Sequence, residues 1–201
     1  MSLLLEANGV TFRRQGDLVF APVDLQLAAA SALVILGPNG CGKTTLLRLL
    51  AGILRPAEGQ LLRNGSTAFL GHASALKGDL NCRENLDFLR HFHGRAGLSS
   101  SQALVRTGLA GLGLRPARTL SAGQKRRLGL AGLLVAPRPI WLLDEPYASL
   151  DDAGGELVDS LLAEHTATGG GVVLSTHQRK PRLRAAHGEL VVRKAAPEET
   201  A

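Results

Sequence analysis

Residues 37–44 read Gly37-Pro38-Asn39-Gly40-Cys41-Gly42-Lys43-Thr44. This stretch satisfies the pattern G-x-x-x-x-G-K-[ST] at every fixed position. The apolar run 33–36 before it predicts a strand buried on both faces, and the leucine-rich segment 42–51 after it predicts a helix. A glycine-rich turn between such a strand and helix indicates an α/β fold that binds a nucleoside triphosphate.

The residue types in this loop fit phosphate chemistry. Its glycines allow backbone N–H groups to point inward around phosphate oxygens, and the helix start adds a partial positive charge. Lys43 is predicted to neutralise the β- and γ-phosphates, and Thr44 to give its hydroxyl to Mg²⁺. We assign residues 37–45, Thr45 included, to triphosphate binding. Kinases, GTPases and motors share this loop, so other residues must distinguish between them.

A second apolar run, 140–143, ends in two carboxylates, Asp144 and Glu145. Asp144 stands where a second carboxylate is needed to hold Mg²⁺ through water. Glu145 can then orient a water molecule aimed at the γ-phosphate and accept its proton. The acidic pair therefore indicates hydrolysis rather than transfer of phosphate to a bound substrate.

The composition narrows the class of protein. The 201 residues are 45% hydrophobic, which is enough for one core. The net charge of +6 would suit nucleic acid, but 3% aromatic residues are too few for rows of base-stacking side chains. No window reaches the roughly 18 apolar residues of a membrane span, and the first residues do not resemble a signal peptide. We therefore predict a soluble, cytoplasmic protein that contacts a membrane only through partners.

The order of the predicted elements places a helical insert inside an α/β core. Strands are predicted at 3–12, 19–27, 33–36, 67–70, 140–143, 172–175 and, as an edge, 190–193; helices are predicted at 42–51, 83–93, 99–109, 122–135 and 151–165. We predict a single domain over 1–201. Its nucleotide-binding core comprises 1–73 and 137–201, with a mainly parallel sheet and an antiparallel β edge, and a helical subdomain spans 74–136.

Further motifs follow in a fixed order. They read Leu120-Ser121-Ala122-Gly123-Gln124, then Ser149-Leu150-Asp151, then Ser175-Thr176-His177-Gln178. With these motifs the chain resembles the ABC ATPases over essentially its whole length, which implies their P-loop NTPase fold. Because Ser121, Ala122 and Gly123 open a helix, their N–H groups and the Ser hydroxyl can bind phosphate.

The resemblance implies that the motif at 121–124, Gln124 included, binds the ATP of the opposite subunit, so that a homodimer holds two shared ATP molecules. It adds Asp151 to the ATP-binding residues. It also implies that His177 contacts the γ-phosphate and holds Glu145 and the water in line.

Three further positions are Phe12, Ala73 and Cys41. Phe12 lies where the family often has an aromatic that stacks on adenine, although a core phenylalanine fits the sequence equally well. Ala73 stands where the family usually has a Gln that touches Mg²⁺, which leaves three interpretations: His72 substitutes, solvent fills the place, or coupling is altered. Cys41, beside the phosphates at a helix start, is predicted to have a reactive thiol.

Within the family, the chain is most similar to the ATPases of cytochrome c biogenesis (haem exporters). The similarity rests on Leu70-Gly71-His72, Leu76-Lys77, Glu84-Asn85-Leu86, the basic run after Gln124 and Trp141-Leu142-Leu143-Asp144-Glu145-Pro146. It implies ATP and Mg²⁺ as cofactors, transmembrane permease subunits of a haem-handling complex as partners, and the cytoplasmic face of a bacterial inner membrane as location. Two alternatives stay open: a small ABC transporter for a drug, an ion or a lipid, and a soluble ABC ATPase acting on nucleic acid.

Overall fold

A computed structural model describes residues 2–72, 75–94, 97–176, 181–183 and 185–195. In chain order its strands are β1 (Leu3–Thr11), β2 (Arg13–Arg14), β3 (Asp17–Leu18), β4 (Val23–Ala28), β5 (Ser31–Leu36), β6 (Glu58–Arg63), β7 (Thr67–Leu70), β8 (Ile140–Asp144), β9 (Gly171–Ser175) and β10 (Ala186–Val191). Its helices are α1 (Lys43–Leu50), α2 (Cys82–His93), α3 (Ser100–Arg106), α4 (Ala122–Val135) and α5 (Asp152–Ala167).

Five strands form a parallel sheet in the order β10-β5-β9-β8-β7. Because the strands are parallel, the segments that follow β5, β8 and β9 emerge at the same edge of the sheet. Asp144 at the end of β8 pairs in register with Ser175 at the end of β9. The topology thus brings residues 37–45, which follow β5 and are called the phosphate loop below, close to Asp144 and Glu145.

The core is divided by the alternation of side chains along the central strands. In β8, Ile140 and Leu142 face a cluster that includes the leucines of α1 and the inner face of β1 and β4. Trp141 and Leu143 face the opposite cluster, which includes α5 and part of α4. Because both faces of these strands pack against other elements, both faces carry apolar residues, and this explains the continuous apolar runs in the sequence.

An antiparallel sheet of order β4-β1-β6 and the short hairpin of β2 and β3 complete the β structure described. The predicted mainly parallel sheet with an antiparallel β edge is therefore confirmed. The strand predicted at 19–27, however, begins only at Val23, and neither β6 nor the hairpin of β2 and β3 has a predicted counterpart. Strand β6 is almost entirely exposed, so its sequence shows no apolar alternation that would reveal it.

Helices α2, α3 and α4 pack around a third cluster of their own. Its buried side chains are Cys82, Leu86, Ala103, Leu104, Leu109, Ala117, Leu120, Leu128, Ala131, Val135 and Ala136.

The edge strand predicted at 190–193 is found at Ala186–Val191, where it pairs in parallel with β5. Among the described residues, no helix has the length and apolar character needed to cross a bilayer.

Candidate functional site

The phosphate loop is built around glycines whose backbone other residues cannot easily adopt. Gly37, Gly40 and Gly42 have φ angles of 145°, 79° and 107°. A Cβ on Gly37 would lie 2.6 Å from the carbonyl oxygen of Val192, and one on Gly42 would lie 2.8 Å from the ring of Phe20. The loop is therefore held tightly between the core and Val192, the residue that follows strand β10, and Gly42 forms the N-cap of α1.

Lys43 begins helix α1, and its side chain turns back across the loop. Its Nζ donates hydrogen bonds to the carbonyl oxygens of Gly37, at 2.7 Å, and of Pro38, at 3.0 Å. The residue is 7% exposed. The loop thus holds a fixed ammonium group at a helix N-terminus, where an anion is favoured.

Asp144 links the phosphate loop to two strand ends. Its Oδ2 accepts a hydrogen bond from Thr44 Oγ1 at 2.7 Å, and its Oδ1 accepts one from Ser175 Oγ at 2.7 Å. Asp144 is 1% exposed. A hydroxyl and a carboxylate in contact beside the loop are the oxygen donors that Mg²⁺ takes in triphosphate sites, so Thr44 and Asp144 fit this ion.

Glu145 follows in an unusual backbone conformation, with φ at 52°. Its N–H donates to Ser175 Oγ at 3.1 Å, and its carbonyl oxygen accepts from the N–H of Ala148 at 3.0 Å. A non-glycine residue in the left-handed region is strained and persists only when its surroundings fix it. The turn after β8 is therefore held at the residue predicted to be the general base.

These groups share one cleft of about 470 Å³. Its lining comprises Asn39, Gly40, Gly42, Lys43, Thr44, Thr45, Asp144 and Glu145, together with Arg14, Val19, Arg48 and His72. The structure thus brings together most of the predicted phosphate loop and both acids. Arg14, Val19 and Arg48 were not predicted to belong to the site. The Gln15-Gly16 turn between β2 and β3 is a local sequence signal of the hairpin that brings Arg14 to the cleft.

Two predicted residues have their side chains in the core. Phe12 is half-buried and packs against the core cluster that includes α1, and it is not among the described residues that line the cleft. Its stacking on adenine stays a prediction.

Cys41 is 1% exposed and belongs to the same cluster. The prediction of a reactive Cys41 thiol beside the phosphates is wrong because the side chain packs into the core, although its N–H remains a predicted phosphate donor.

The motif at 121–124 opens helix α4. Ser121 is the N-cap: its Oγ accepts from the N–H of Gln124 at 3.2 Å, and Gln124 Oε1 accepts from the N–H of Ser121 at 3.1 Å. Ala122 lines a second hollow of about 520 Å³, together with Ser149 and His72. Within the described part of the chain, residues 121–124 do not line the cleft of the phosphate loop.

Asp151 is the N-cap of helix α5. Its Oδ1 accepts from the N–H of Gly154 at 2.8 Å and from Arg127 Nη2 at 3.1 Å. The hydrogen bond from Gly154, followed by that from Arg127, lowers the pKa of the Asp151 carboxyl below its ordinary value. The residue therefore connects α5 to α4. Two other predicted positions, His177 and Ala73, lie outside the described residues.

Comparison with known proteins agrees with this geometry. A family model described as "ABC transporter" matches residues 20–148. The cytochrome c biogenesis ATP-binding export protein CcmA of Paramagnetospirillum magneticum is 51% identical over 187 residues, covering 85% of this chain and 86% of that protein. The protein of the same name from Xanthomonas campestris is 45% identical over 185 residues, covering 87% and 86%.

A solved dimeric ATP-binding cassette in a post-hydrolysis state, bound to ADP and Pi, superposes with a TM-score of 0.79 at 23% identity. The alignment covers 87% of this chain and 88% of that one. The likeness in fold, the family match over more than half of the sequence and the two close relatives agree with one another. The chain belongs to the ABC transporter family.

Proposed function

We propose that this chain binds and hydrolyses ATP as a subunit of an ABC export complex for cytochrome c biogenesis, and that the complex handles haem. The observation that carries the ATPase part is the hydrogen-bonded set Thr44–Asp144–Ser175 beside the phosphate loop, with Glu145 next in the chain. The cytochrome part is supported by the relatives of that name, at 51% and 45% identity.

In this proposal Lys43 exchanges the carbonyls of Gly37 and Pro38 for β- and γ-phosphate oxygens when ATP binds. Thr44 would hold Mg²⁺ through its hydroxyl, and Asp144 through water. Bound there, Mg²⁺ would neutralise charge that develops on the phosphates. The backbone N–H groups of residues 39–45 enclose the same oxygens.

Glu145 is the proposed general base. A water oxygen attacks the γ-phosphorus, the bond to the β–γ bridging oxygen breaks, and Glu145 accepts the proton of the water. ADP and phosphate are the products. His177 is proposed to contact the γ-phosphate and keep the water in line. The fixed backbone of Glu145 supports this assignment because a base is effective only when its position is defined.

The separation of the motif at 121–124 from the cleft supports a site shared between two copies. We propose a homodimer in which residues 121–124 and Asp151 of one chain complete the ATP site of the other. The division into a nucleotide-binding core (1–73 and 137–201) and a helical subdomain (74–136) is supported by the separate cluster that holds α2, α3 and α4 together.

The proposed partners are the transmembrane permease subunits of the haem-handling complex, with the chain on the cytoplasmic face of the bacterial inner membrane. Nucleic acid is not a proposed partner. Affinity purification of the tagged chain from membranes tests this part. Recovery of haem-handling membrane proteins is expected, whereas recovery of an unrelated permease would exclude the haem proposal and leave the ATPase proposal standing.

Glu145→Gln tests the ATPase proposal. The variant should bind Mg²⁺-ATP as the wild type does, because the amide keeps the shape of the carboxylate. Turnover should fall by about 10²- to 10⁴-fold, the usual contribution of a general base. Glu156→Gln, an exposed change on α5, is the matched control and should retain full activity. Near wild-type hydrolysis by the Glu145 variant would exclude this residue as the base.

A further inference from the structure

Arg126 is a buried charged residue for which the proposed mechanism has no role. It lies on α4 and is 3% exposed. Its Nη1 donates to the carbonyl oxygen of Gly71 at 2.7 Å and its Nε to that of Pro146 at 3.3 Å, while Nη2 donates to the carbonyl oxygens of both Asp144 and Glu145. All four acceptors are backbone atoms, so the side chain fixes the course of the chain rather than a particular side chain.

The guanidinium stays charged in this place although burial disfavours the charge. Burial lowers the pKa of Arg126, and the carboxylates of Asp144 and Glu145 oppose that shift. A guanidinium remains protonated even when it is buried, and its planar fork can donate to several acceptors at once. Replacing it would remove a donor from four backbone carbonyl oxygens, and that of Glu145 would keep the N–H of Ala148.

The contacts of Arg126 join three parts of the molecule that hydrolysis must coordinate. Its helix, α4, is capped by Ser121, just over one turn earlier, in the motif proposed to bind the ATP of a second copy. Gly71 follows β7 and precedes His72, which lines the cleft. Glu145 holds its left-handed backbone, with Ser175 binding its N–H and Arg126 its carbonyl oxygen.

We propose that Arg126 is a positioning residue that holds the backbone of Glu145, and so its carboxylate, in a fixed position relative to α4, the helix that Ser121 caps. Docking of the second copy's ATP on that helix then adjusts the base of this chain's own ATP site. The inference rests on the proposed function, because it assumes that Glu145 accepts the proton of the attacking water.

Arg126→Lys tests the proposal in the full-length chain with Mg²⁺-ATP. Lysine keeps the charge but has no fork and cannot reach four carbonyls at once. The turnover number should fall by about tenfold or more, because small displacements of reacting groups cost up to about 10²-fold in rate. The Kd for ATP should stay within about twofold, because the phosphate loop is untouched.

A double variant and a control separate positioning from mere stability. In a Glu145→Gln background, Arg126→Lys should cause no further loss of residual turnover, because it acts through the residue already removed. Arg106→Lys is the control: Arg106 also joins the helical part to the core, through Ser160 and Glu164 of α5, but lies away from the cleft. It should keep wild-type turnover.

Three results would overturn the proposal. The first is unchanged turnover in Arg126→Lys. The second is a fall in turnover by the same factor as the fall in the amount of ATP bound per chain, and the third is that Arg126→Lys lowers residual turnover in the Glu145→Gln background as much as it does in the wild type. A variant that does not fold gives this second result, because an unfolded chain loses ATP binding and turnover together, and Arg126 would then have a purely structural role. Failure of the proposed function has a different signature, namely a wild-type chain without turnover or a Glu145→Gln chain that retains it.

Discussion

At the scale of single residues, the hydroxyl of Thr44 joins the phosphate loop to the acidic strand end. It donates to Asp144 Oδ2 at 2.7 Å. Thr44→Val removes this oxygen at nearly constant shape, whereas Thr44→Ser keeps it. We expect the valine variant to need about 10- to 100-fold more Mg²⁺ for half-maximal ATP hydrolysis, and the serine variant to behave like the wild type.

The measurement is ATP hydrolysis titrated with Mg²⁺ at saturating ATP. Equal Mg²⁺ requirements for Thr44→Val and Thr44→Ser would contradict the assignment of this hydroxyl to the metal. A loss of activity that Mg²⁺ cannot restore in either variant would indicate instead that Thr44 is needed for the fold of the loop.

The residues of the site differ in how far the sequence could predict them. Lys43, Thr44, Asp144 and Glu145 could be assigned because the loop pattern and the apolar strands beside it are local signals. Arg126 could not be assigned, because its role depends on carbonyls about 20 and 55 positions away in sequence. The sequence did hold one hint of a buried role for Arg126: it lies on the buried face of α4, where Leu130 follows one turn later.

At the scale of elements, helices α3 and α4 begin in the same way but are proposed to have different functions. Ser99 caps α3 in a reciprocal pair with Gln102, as Ser121 caps α4 with Gln124. Either Ser→Ala change should lower stability by about 1 kcal/mol, because each removes an N-cap. Only Ser121→Ala should lower turnover as well, by about tenfold, since only Ser121 is proposed to bind phosphate.

Thermal unfolding and ATP hydrolysis of the two variants, measured side by side, check this prediction. Ser99→Ala is the matched control because it subtracts the cost of the lost cap. If both variants lost turnover to the same degree, the effect would belong to helix stability, and the phosphate-binding role of Ser121 would have no support.

The contact of α5 with β8 contains a histidine that should make stability depend on pH. His165 stacks on Trp141 with ring centroids 3.9 Å apart and an angle of 8°. Burial lowers the pKa of His165 to about 4. The unfolded chain binds this proton near pH 6.5 but the folded chain does not, so the free energy of unfolding falls as the pH drops from about 6.5 to 4.

Between pH 7 and pH 5 the loss from this residue should be roughly 2 kcal/mol. Urea unfolding at the two pH values measures it. His165→Phe retains a stacking ring without a titrating group. Its free energy of unfolding should therefore fall by roughly 2 kcal/mol less than that of the wild type between pH 7 and pH 5. His187→Gln, at an exposed histidine, should keep the wild-type loss. Equal losses in all three proteins would contradict the assignment.

Elements were predictable where burial imposes a pattern. Strand β8 and helix α4 lie close to their predicted bounds because their apolar residues face the core. Strand β6 and the hairpin of β2 and β3 were missed because they are short or exposed, and backbone pairing rather than burial determines them. The same hairpin brings Arg14 to the cleft, so the missed element and the missed site residue have one cause.

At the scale of the whole molecule, one chain holds the two proposed halves of an ATP site, and their residues line different hollows. The phosphate loop, Asp144 and Glu145 line one cleft, and Ala122 of the motif at 121–124 lines the other hollow. If two copies complete each other, damage to the two halves on different chains should be complementary. Lys43→Met disables the first half, and Ser121→Glu disables the second by placing a negative charge against phosphate.

Neither variant alone should hydrolyse ATP, whereas their co-expression should restore about a quarter of wild-type turnover. With random pairing, half of the dimers are mixed, and each mixed dimer has one of its two sites free of both changes. Co-expression of Lys43→Met with Glu145→Gln is the control, because both changes fall in the same half and every site stays damaged. Recovery of ATP hydrolysis in the first pair of variants but not in the second requires a site built from two chains. If hydrolysis recovers in neither pair, the result contradicts the shared site and indicates that each chain completes its own.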